Sequence, residues 1–241
     1  MVAGLTVCLV RQGGEFAGYG RDYRLVWAWC AELLVGSGRG TQILNESTLR
    51  RLFALTSHAV LARPIAADVR GVERHARELV EGQAAVVAYL SFPLLEQVLR
   101  ASCRRHFGAG GHIIHPFQTP GQLMRTHLYA VGGTCSSIGD LLWLYRRHYA
   151  SRAMRDNLDA IDEHFAEVVP GGVTGFRVIQ SWRNESLSGT SGLPVIGAAV
   201  LSLTLLVALA ECEERFDDAV ARALSAAAGA NGASEFYPLE G

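Results

Sequence analysis

The spacing of apolar residues along the chain predicts a mainly helical protein. Between residues 151 and 168, Met154, Leu158, Ile161 and Phe165 recur every three or four positions. This spacing places the four side chains on one face of an α-helix and leaves the charged residues on the other face. The segment is therefore predicted to be an amphipathic helix that packs against the rest of the protein.

Further helices are predicted along most of the chain, and strand patterns are scarce. The predicted helices cover Arg24–Val35, Asn45–His58, Val69–Val80, Pro93–His106, Gln122–Val131, the segment from Ser136 or Ser137 to Ala150, Gly175–Leu187, and Pro194 to about Ala227. Pro93 suits the first turn of a helix because that position needs no amide donor. Gly108–Gly121 is predicted to be a loop, and only Leu5–Val10 and Gly111–Ile114 have strand character.

The predicted fold class is therefore all-α, a helical bundle with a helical N-terminal extension. Residues 1–80 would form the extension, residues 81–228 the helical domain, and residues 229–241, rich in Gly and Ala, a frayed tail. A chain of 241 residues, 49% of them hydrophobic, is long enough to bury a sizeable core.

One apolar segment raises the alternative of a membrane protein. Leu193–Ala210 is an uncharged run of 18 residues, which is the lower limit for spanning a bilayer. It lacks the Arg, Trp or Tyr anchors expected at both membrane interfaces, and Glu211, Glu213 and Glu214 follow it directly. A helix buried on all sides in the domain or dimer core is therefore preferred, and no membrane partner is expected.

Composition narrows the chemistry that the chain can perform. All 22 basic residues are arginine, so no lysine is present to form a Schiff base or to bind phosphate in a nucleotide-binding loop. The net charge of -1 provides no overall basic field. Five scattered cysteines without a CxxC pair favour buried thiols in a reducing, cytoplasmic compartment over disulfides or a zinc knuckle.

The segment Ser181–Gly189, with the sequence SWRNESLSG, contains the most informative motif. It ends a predicted amphipathic helix and precedes the most apolar helix of the chain. Arg183 and Asn184 place a guanidinium, which can pair with two phosphate oxygens, beside an amide that can orient a backbone or a ribose. The purely structural interpretation is an ion pair of Arg183 with Glu185 or Asp162, with Asn184 capping a turn.

This arrangement resembles the HEPN superfamily, whose ribonuclease members carry an Arg-x(4–6)-His motif before a long apolar helix. Pro93–Arg100 and the segments that start at Leu141 and Ser151 resemble the helices of that fold, so the resemblance covers about residues 80–228. It implies a homodimer in which the motifs of both copies form a composite RNA-cutting site that needs no metal or other cofactor.

Carried onto this sequence, the resemblance implies that Arg183 holds the scissile phosphate and that Asn184 orients the site. Ser188 stands where the family has histidine, and a serine hydroxyl does not exchange protons near neutral pH as an imidazole does. Three explanations stay open: a natural non-catalytic HEPN protein, an inactivated version of a toxic nuclease, or a substitute histidine elsewhere. The candidate catalytic set is Arg183, Asn184 and Ser188, with activity expected to be weak or absent.

Two short basic clusters with aromatic neighbours are candidates for RNA binding. They consist of Arg104 and Arg105, and of Arg146, Arg147 and His148, with Tyr145 and Tyr149 alongside. Arginine forks pair with phosphates and tyrosine rings stack on bases, although each cluster alone also fits a solvated helix face. His115 joins these candidates if its loop folds over Arg183.

The loop histidines raise the alternative of a metal site. His106, His112 and His115 have the spacing His-x5-His-x2-His, but the loop supplies no cysteine or carboxylate at ligand spacing. Histidines without such support are more often surface or turn residues, so no metal site is predicted.

The sequence thus predicts a cytoplasmic HEPN-like protein related to the metal-independent endoribonucleases of toxin–antitoxin and antiphage systems. Its expected partners are RNA, either a tRNA or an mRNA, a second copy of the chain, and an antitoxin or another defence-system protein. The alternative is a non-enzymatic helical module that binds a protein or a nucleotide and in which Arg183 is structural.

Overall fold

The computed structural model describes residues 48–56, 59, 74–120, 126–168, 175–186, 193–210 and 221. Over these residues the chain is mostly helical, with six helices and one two-stranded sheet. The prediction of a mainly helical protein is confirmed. The predicted helix Arg24–Val35, the strand-like segment Leu5–Val10 and the tail 229–241 lie outside the described residues.

The described elements divide between two compact units. Residues 48–56 form α1, and the following elements are α2 (Arg74–Ser102), β1 (Phe117–Pro120), β2 (Thr126–Tyr129), α3 (Ile138–His148), α4 (Arg152–Val168), α5 (Arg177–Ser186) and α6 (Leu193–Ala210). Unit 2 is Leu95–Thr190, and the described residues before and after it belong to unit 1. The division lies within α2, as does the predicted domain boundary between residues 80 and 81.

Helix α2 continues through Pro93, so the prediction of a new helix starting there was wrong. Proline in a helix interior removes one backbone hydrogen bond and normally kinks or ends the helix. Here Pro93 is exposed, while its neighbours Phe92 and Leu94 are buried. Burial of these large apolar side chains offsets the lost hydrogen bond, so α2 stays continuous.

In unit 1, helix α6 lies very close to the first part of α2. A Cβ atom added to Gly197 would lie only 2.9 Å from the backbone nitrogen of Ala88, so the two helix backbones are nearly in contact. Ser91 Oγ donates to the Val87 carbonyl at 2.6 Å and contacts the Gly197 carbonyl at 3.4 Å. Residues 199–209 of α6 are all buried, which confirms the predicted burial over this stretch.

Two hydroxyl side chains, Ser202 and Thr204, lie within this apolar helix. Thr204 Oγ1 donates to the Val200 carbonyl one turn earlier at 2.8 Å, so its burial leaves no donor unpaired. None of the helices in the described residues combines the length and the hydrophobicity needed to cross a bilayer.

In unit 2, helices α3, α4 and α5 each bury an apolar face. The predicted face of α4 is confirmed, since Met154, Leu158, Ile161 and Phe165 are all buried. The buried side chains from α3 and α5 include Ile138, Leu141, Leu142, Leu144, Val178 and Ile179. Phe165 also packs edge-to-face on Trp182, with the ring centroids 5.2 Å apart. Because the buried apolar faces fix how α3, α4 and α5 pack, they also fix where the polar residues at the ends of these helices lie.

The start of α3 is held by two side chains. Ser137, one of the two predicted capping residues, is the N-cap, and its Oγ accepts a hydrogen bond from Asp140 N at 3.2 Å. Gln180 Oε1 of α5 accepts from Ile138 N, also at 3.2 Å. Both side chains occupy amides that the first turn of a helix leaves unpaired, which fixes where α3 begins.

A β-hairpin replaces part of the predicted loop Gly108–Gly121 and part of the predicted helix Gln122–Val131. Strands β1 and β2 are antiparallel, with Phe117 opposite Tyr129. These two rings are buried and stack at 4.7 Å. Aromatic and β-branched residues such as Tyr129 and Thr126 suit a pleated strand, and the cross-strand contact outweighs the helical pattern. The loop prediction was therefore wrong over β1, and the helix prediction was wrong over β2.

The loop before the hairpin is held by isolated β-bridges rather than by a strand. One of them pairs His112 with Thr134, so the strand character predicted for Gly111–Ile114 is limited to single bridges. Gly111 has a φ of 73°, and a Cβ atom there would lie 2.7 Å from Arg100 Nη1. The positive φ therefore favours glycine at this turn, and the missing side chain leaves space for the end of the arginine.

Gly197→Ala is expected to lower the free energy of unfolding by about 1–3 kcal/mol, because the added methyl group has no space beside the Ala88 backbone. Gly82→Ala is the matched control on α2, since Gly82 is exposed and a Cβ atom there meets nothing within 4 Å. The control is expected to stabilise the protein by about 0.5–1 kcal/mol through helix propensity. Urea denaturation followed by circular dichroism measures both, and equal effects would contradict the close approach.

Candidate functional site

Arg183, the central residue of the predicted site, lies in the last turn of α5 and is bound to its own chain. Its Nη1 atom lies 3.2 Å from Glu96 Oε2 and donates to the Ser136 carbonyl at 3.0 Å. Glu96 is largely buried, with 12% of its side chain exposed. Arg183 therefore joins α5 to the end of α2 and to the residue before the α3 N-cap.

Glu96 binds a second guanidinium. Arg100, one turn further along α2, donates from Nη2 to Glu96 Oε1 at 2.6 Å and to the Cys135 carbonyl at 2.9 Å. The carboxylate thus lies between two arginines, and charge-assisted hydrogen bonds of this kind are stronger than neutral ones. We call Glu96, Arg100 and Arg183 the arginine–glutamate clamp, because both arginines hold carbonyls of the adjacent residues Cys135 and Ser136.

The clamp limits Arg183 as a phosphate ligand. Breaking a partly buried ion pair leaves an uncompensated charge, so a phosphate does not readily replace Glu96. Because 31% of the Arg183 side chain is exposed, an anion can reach one side of the guanidinium while Glu96 holds the other. Phosphate binding at Arg183 would therefore add to the clamp rather than displace it.

The acidic residues that the sequence offered as partners of Arg183 have hydrogen-bond donors of their own. Glu185 Oε1 accepts from Ser181 Oγ at 2.6 Å. Asp162 Oδ1 accepts from Phe176 N at 2.7 Å, and burial raises the pKa of the Asp162 carboxyl group. The ion-pair partner that the structure gives Arg183 is Glu96, from a different helix.

Asn184 is exposed beside Arg183. Its Oδ1 accepts from Gln180 Nε2 at 3.3 Å, and the Oε1 of the same Gln180 holds the first amide of α3. Asn184 is thus linked through one side chain to the start of α3. Ser188 lies outside the described residues, and the assignment of Arg183, Asn184 and Ser188 as a catalytic set stays a prediction.

The predicted RNA-binding arginines differ in their surroundings. Arg146 Nε lies 2.5 Å from Asp159 Oδ1, so this residue fastens α3 to α4. Arg147, its neighbour in the last turn of α3, is exposed. Arg104 and Arg105 are exposed in the turn that follows α2. Three of the four predicted arginines are therefore accessible to a ligand.

The structure brings together three histidines that are separated in the sequence. The ring centroid of His106 lies 6.4 Å from that of His115 and 5.7 Å from that of His148. Phe117 and Tyr149 also face His106, each with its ring at 5.6 Å. We call His106, His115, His148 and Tyr149 the histidine cluster. It is formed by the turn after α2, the loop before β1 and the end of α3.

A short hydrogen bond holds the central ring of the cluster. His106 Nδ1 lies 2.5 Å from the Tyr149 hydroxyl, which also donates to the Cys103 carbonyl at 3.3 Å. His106 is half-buried, whereas His115 and His148 are exposed. The cluster therefore combines one fixed imidazole with two that are open to solvent.

Burial and neighbouring charge determine how the cluster titrates. Burial, followed by electrostatic repulsion from the neighbouring His148 and His115, lowers the pKa of His106 below its usual 6.5. Burial raises the pKa of Tyr149 to about 12, against the opposing effect of two nearby arginines. At neutral pH, His106 is therefore mainly unprotonated and Tyr149 keeps its proton.

The sequence groups His106 with His115, and His148 with Tyr149, but does not predict that the two groups meet. On the sequence alone, His115 lies near Arg183 only if its loop folds over that residue, and the run Arg146–His148 is a separate basic cluster. The sequence does show that the segments containing His106 and His148 each combine basic and aromatic residues beside a helix end. Which helix ends come together depends on the tertiary fold. No three His, Cys, Asp or Glu side chains among the described residues are placed to hold a metal ion.

No protein-family model matches this chain, and neither does any curated protein or solved structure. The HEPN resemblance thus stays a prediction from the sequence. Proposals about function depend on the two side-chain clusters of unit 2 and on the contacts within them.

Arg183→Ala is expected to destabilise the protein by about 1–3 kcal/mol, because it removes one counter-charge from buried Glu96 and the donor to the Ser136 carbonyl. Arg155→Ala is the matched control: Arg155 is exposed on α4, and a surface substitution changes stability by no more than about 0.5 kcal/mol. Chemical denaturation of both variants measures the difference. If Arg183→Ala unfolds at the same denaturant concentration as the control, the clamp does not stabilise the fold.

Proposed function

We propose that unit 2 binds the phosphate backbone of RNA and that the protein is a HEPN-like relative of the metal-independent endoribonucleases of toxin–antitoxin or antiphage systems. The observation that carries this proposal is the exposed basic surface around His106 and Tyr149. Its members come from three segments of unit 2 and are Arg104, Arg105, Arg147, His115 and His148.

The composition of this basic surface suits a nucleic acid. Arg104 and Arg105 lie close enough to Tyr149 to affect its pKa, and Arg147 directly precedes His148. Guanidinium groups pair with phosphate oxygens, and aromatic rings stack on unpaired bases. Together they fit a single-stranded or looped RNA, whose bases are open to stacking.

The near-neutral charge of the whole chain does not oppose RNA binding. At physiological salt, charges act over a Debye length of about 8 Å, so the local surface decides how a polyanion approaches. In unit 2, the carboxylates of Glu96 and Asp159 are each paired with arginines. Much of their negative charge is therefore compensated, and the exposed arginines contribute a local positive potential.

The proposal includes a second copy of the chain and a cytoplasmic location. In the HEPN arrangement, two copies present Arg183 and Asn184 to one RNA, either a tRNA or an mRNA. Ser188 then takes the place of the proton-exchanging histidine, which leaves cleavage at the motif weak or absent. An antitoxin or another defence-system protein would control access to the RNA-binding surface.

The arginine–glutamate clamp favours a second candidate function, a non-enzymatic module that binds a protein or a nucleotide. Arg183 contacts Glu96 and Ser136 of its own chain and so braces three segments of unit 2. In this alternative the motif is structural and RNA affinity does not depend on the exposed arginines. The two functions therefore differ in how RNA binding responds to loss of the basic surface.

The double substitution Arg104→Ala and Arg105→Ala is expected to weaken RNA binding at least tenfold, because it removes two phosphate contacts, each contact to a charged group contributing about 1.5 kcal/mol or more. The slope of log Kd against log salt concentration is expected to fall by about 1.4 for single-stranded RNA. Fluorescence anisotropy with a short labelled RNA measures both quantities.

The control for this experiment is the double substitution Arg152→Ala and Arg155→Ala. It removes the same charge from exposed positions on α4, and it is expected to leave the salt slope unchanged. Equal loss of affinity in the two double variants would mean that net charge alone attracts RNA. Unchanged affinity in both would favour the non-enzymatic protein-binding module.

Ser188→His restores the residue that the HEPN motif expects. It is expected to add RNA cleavage at the motif near neutral pH, on top of any cleavage by the wild-type protein, because general acid–base catalysis by an imidazole contributes about 10²–10⁴-fold. Adding Arg183→Ala to this variant is expected to abolish the gain. Gel analysis of cleaved RNA and growth of cells expressing each variant measure the effect, and no gain would count against an inactivated nuclease.

A further inference from the structure

The hydrogen bonds of Tyr149 determine which nitrogen of His106 carries a proton. The phenol has a single proton, and besides the backbone of Arg105 it contacts two groups, the Cys103 carbonyl at 3.3 Å and His106 Nδ1 at 2.5 Å. A carbonyl only accepts, so both contacts are satisfied when Tyr149 donates to Cys103 and accepts from the Nδ1–H group of His106. The lone pair of the imidazole then lies on Nε2, the nitrogen that Tyr149 does not engage.

His106 consequently has the properties of a general base. The contact with Tyr149 orients its ring, the tautomer inferred from that contact leaves Nε2 able to accept a proton, and the ring is mainly unprotonated at neutral pH. The groups that face it are His115 from the loop, His148 and Tyr149 from the end of α3, and Phe117 from β1. Of these neighbours, the two imidazoles are the groups that can carry a proton to a reacting oxygen.

His148 is the better placed of the two imidazoles to act as the acid. Its ring is nearer to His106 than that of His115, and Trp143 packs edge-to-face on it at 6.4 Å. Two imidazoles with centroids 5.7 Å apart can reach neighbouring oxygens of one phosphate group. Arg147, which precedes His148 in the last turn of α3, is exposed and adds positive charge to this end of the helix.

The surroundings of the cluster favour an anion over a metal ion. Among the described residues no group of three possible ligands is placed to hold a metal. The nearby charged groups that affect Tyr149 include the cations Arg104 and Arg105, which repel a metal ion and attract a phosphate. A phosphate ester is therefore the ligand class that the cluster fits.

We propose that the histidine cluster is a metal-independent acid–base site for a phosphodiester with a neighbouring ribose 2′-hydroxyl. This proposal rests on the proposed RNA binding but uses residues other than Arg183, Asn184 and Ser188. His106 Nε2 takes the proton of the 2′-hydroxyl, whose oxygen forms a new bond to phosphorus. The bond from phosphorus to the 5′ oxygen breaks, and this oxygen takes the proton of His148. The products are a 2′,3′-cyclic phosphate and a 5′-hydroxyl.

The test uses the full chain, a short single-stranded RNA and EDTA in the buffer. The wild-type protein is expected to cleave the RNA with cyclic-phosphate ends and to leave a 2′-deoxy version of the same oligonucleotide intact. His106→Ala and His148→Ala are each expected to lower the rate about 100-fold. His127→Ala is the matched control, because His127 is exposed on β2 outside the cluster, and it is expected to leave the rate unchanged.

The pH dependence separates an acid–base role from a structural one. The wild-type rate is expected to rise with pH through a pKa below 6.5, as His106 loses its proton and becomes able to act as the base. Tyr149→Phe removes the hydrogen bond to Nδ1, so it is expected to lower kcat and displace the rising limb with little change in KM. If Tyr149 only stabilised the fold, Tyr149→Phe would leave the rising limb of the pH–rate profile at the same pH.

The outcomes distinguish this proposal from the proposed RNA binding. RNA binding without cleavage, cleavage that EDTA abolishes, or full activity of His148→Ala would each overturn the acid–base assignment and leave RNA binding standing. Failure to bind RNA would overturn both. His148 is exposed, so His148→Ala keeps the test decisive even if circular dichroism shows that His106→Ala does not fold.

Discussion

The carboxylate of Glu96 is the group on which the arrangement of unit 2 depends. A carboxylate withdrawn from water is stable only when its charge is compensated, and Arg100 and Arg183 approach it at 2.6 and 3.2 Å. The same arginines hold the carbonyls of Cys135 and Ser136. The segment that leads into α3 therefore cannot shift without unpairing a buried charge, and one side chain sets the relative positions of α5, the end of α2 and the start of α3.

This constraint reaches the histidine cluster through α3. The helix has 11 residues, so it spans about 16 Å as a rigid rod. Its start is fixed by the cap of Ser137 and by Gln180 of α5. Its end presents His148, followed by Tyr149, to the turn that carries His106. The ion pair of Glu96, near the start of α3, therefore also helps to fix the position of the exposed imidazole of His148 at the other end of the helix.

Periodicity in the sequence predicts those parts of unit 2 whose apolar faces repeat locally, namely α4, α5 and the start of α3. It does not predict that α2 passes through Pro93 or that Phe117 pairs with Tyr129, because both depend on burial and on cross-strand contact. The same limit applies to the site. The exposed arginines can be named from the sequence alone. The pairing of Arg183 with Glu96 and the meeting of the three histidines cannot, because tertiary packing decides which polar groups come together.

The two polar clusters of unit 2 are suited to different tasks. In the arginine–glutamate clamp, each guanidinium already faces a carboxylate, so an arriving phosphate gains attraction from the arginines but meets repulsion from Glu96. The histidine cluster has no carboxylate among its members, and Arg104 and Arg105 lie near enough to affect the pKa of Tyr149, so their positive charge would attract a phosphate there. Burial keeps His106 mainly unprotonated at neutral pH, which suits this residue to the role of a base. Proton transfer at the histidine cluster would therefore not need a histidine at position 188, where the sequence has serine.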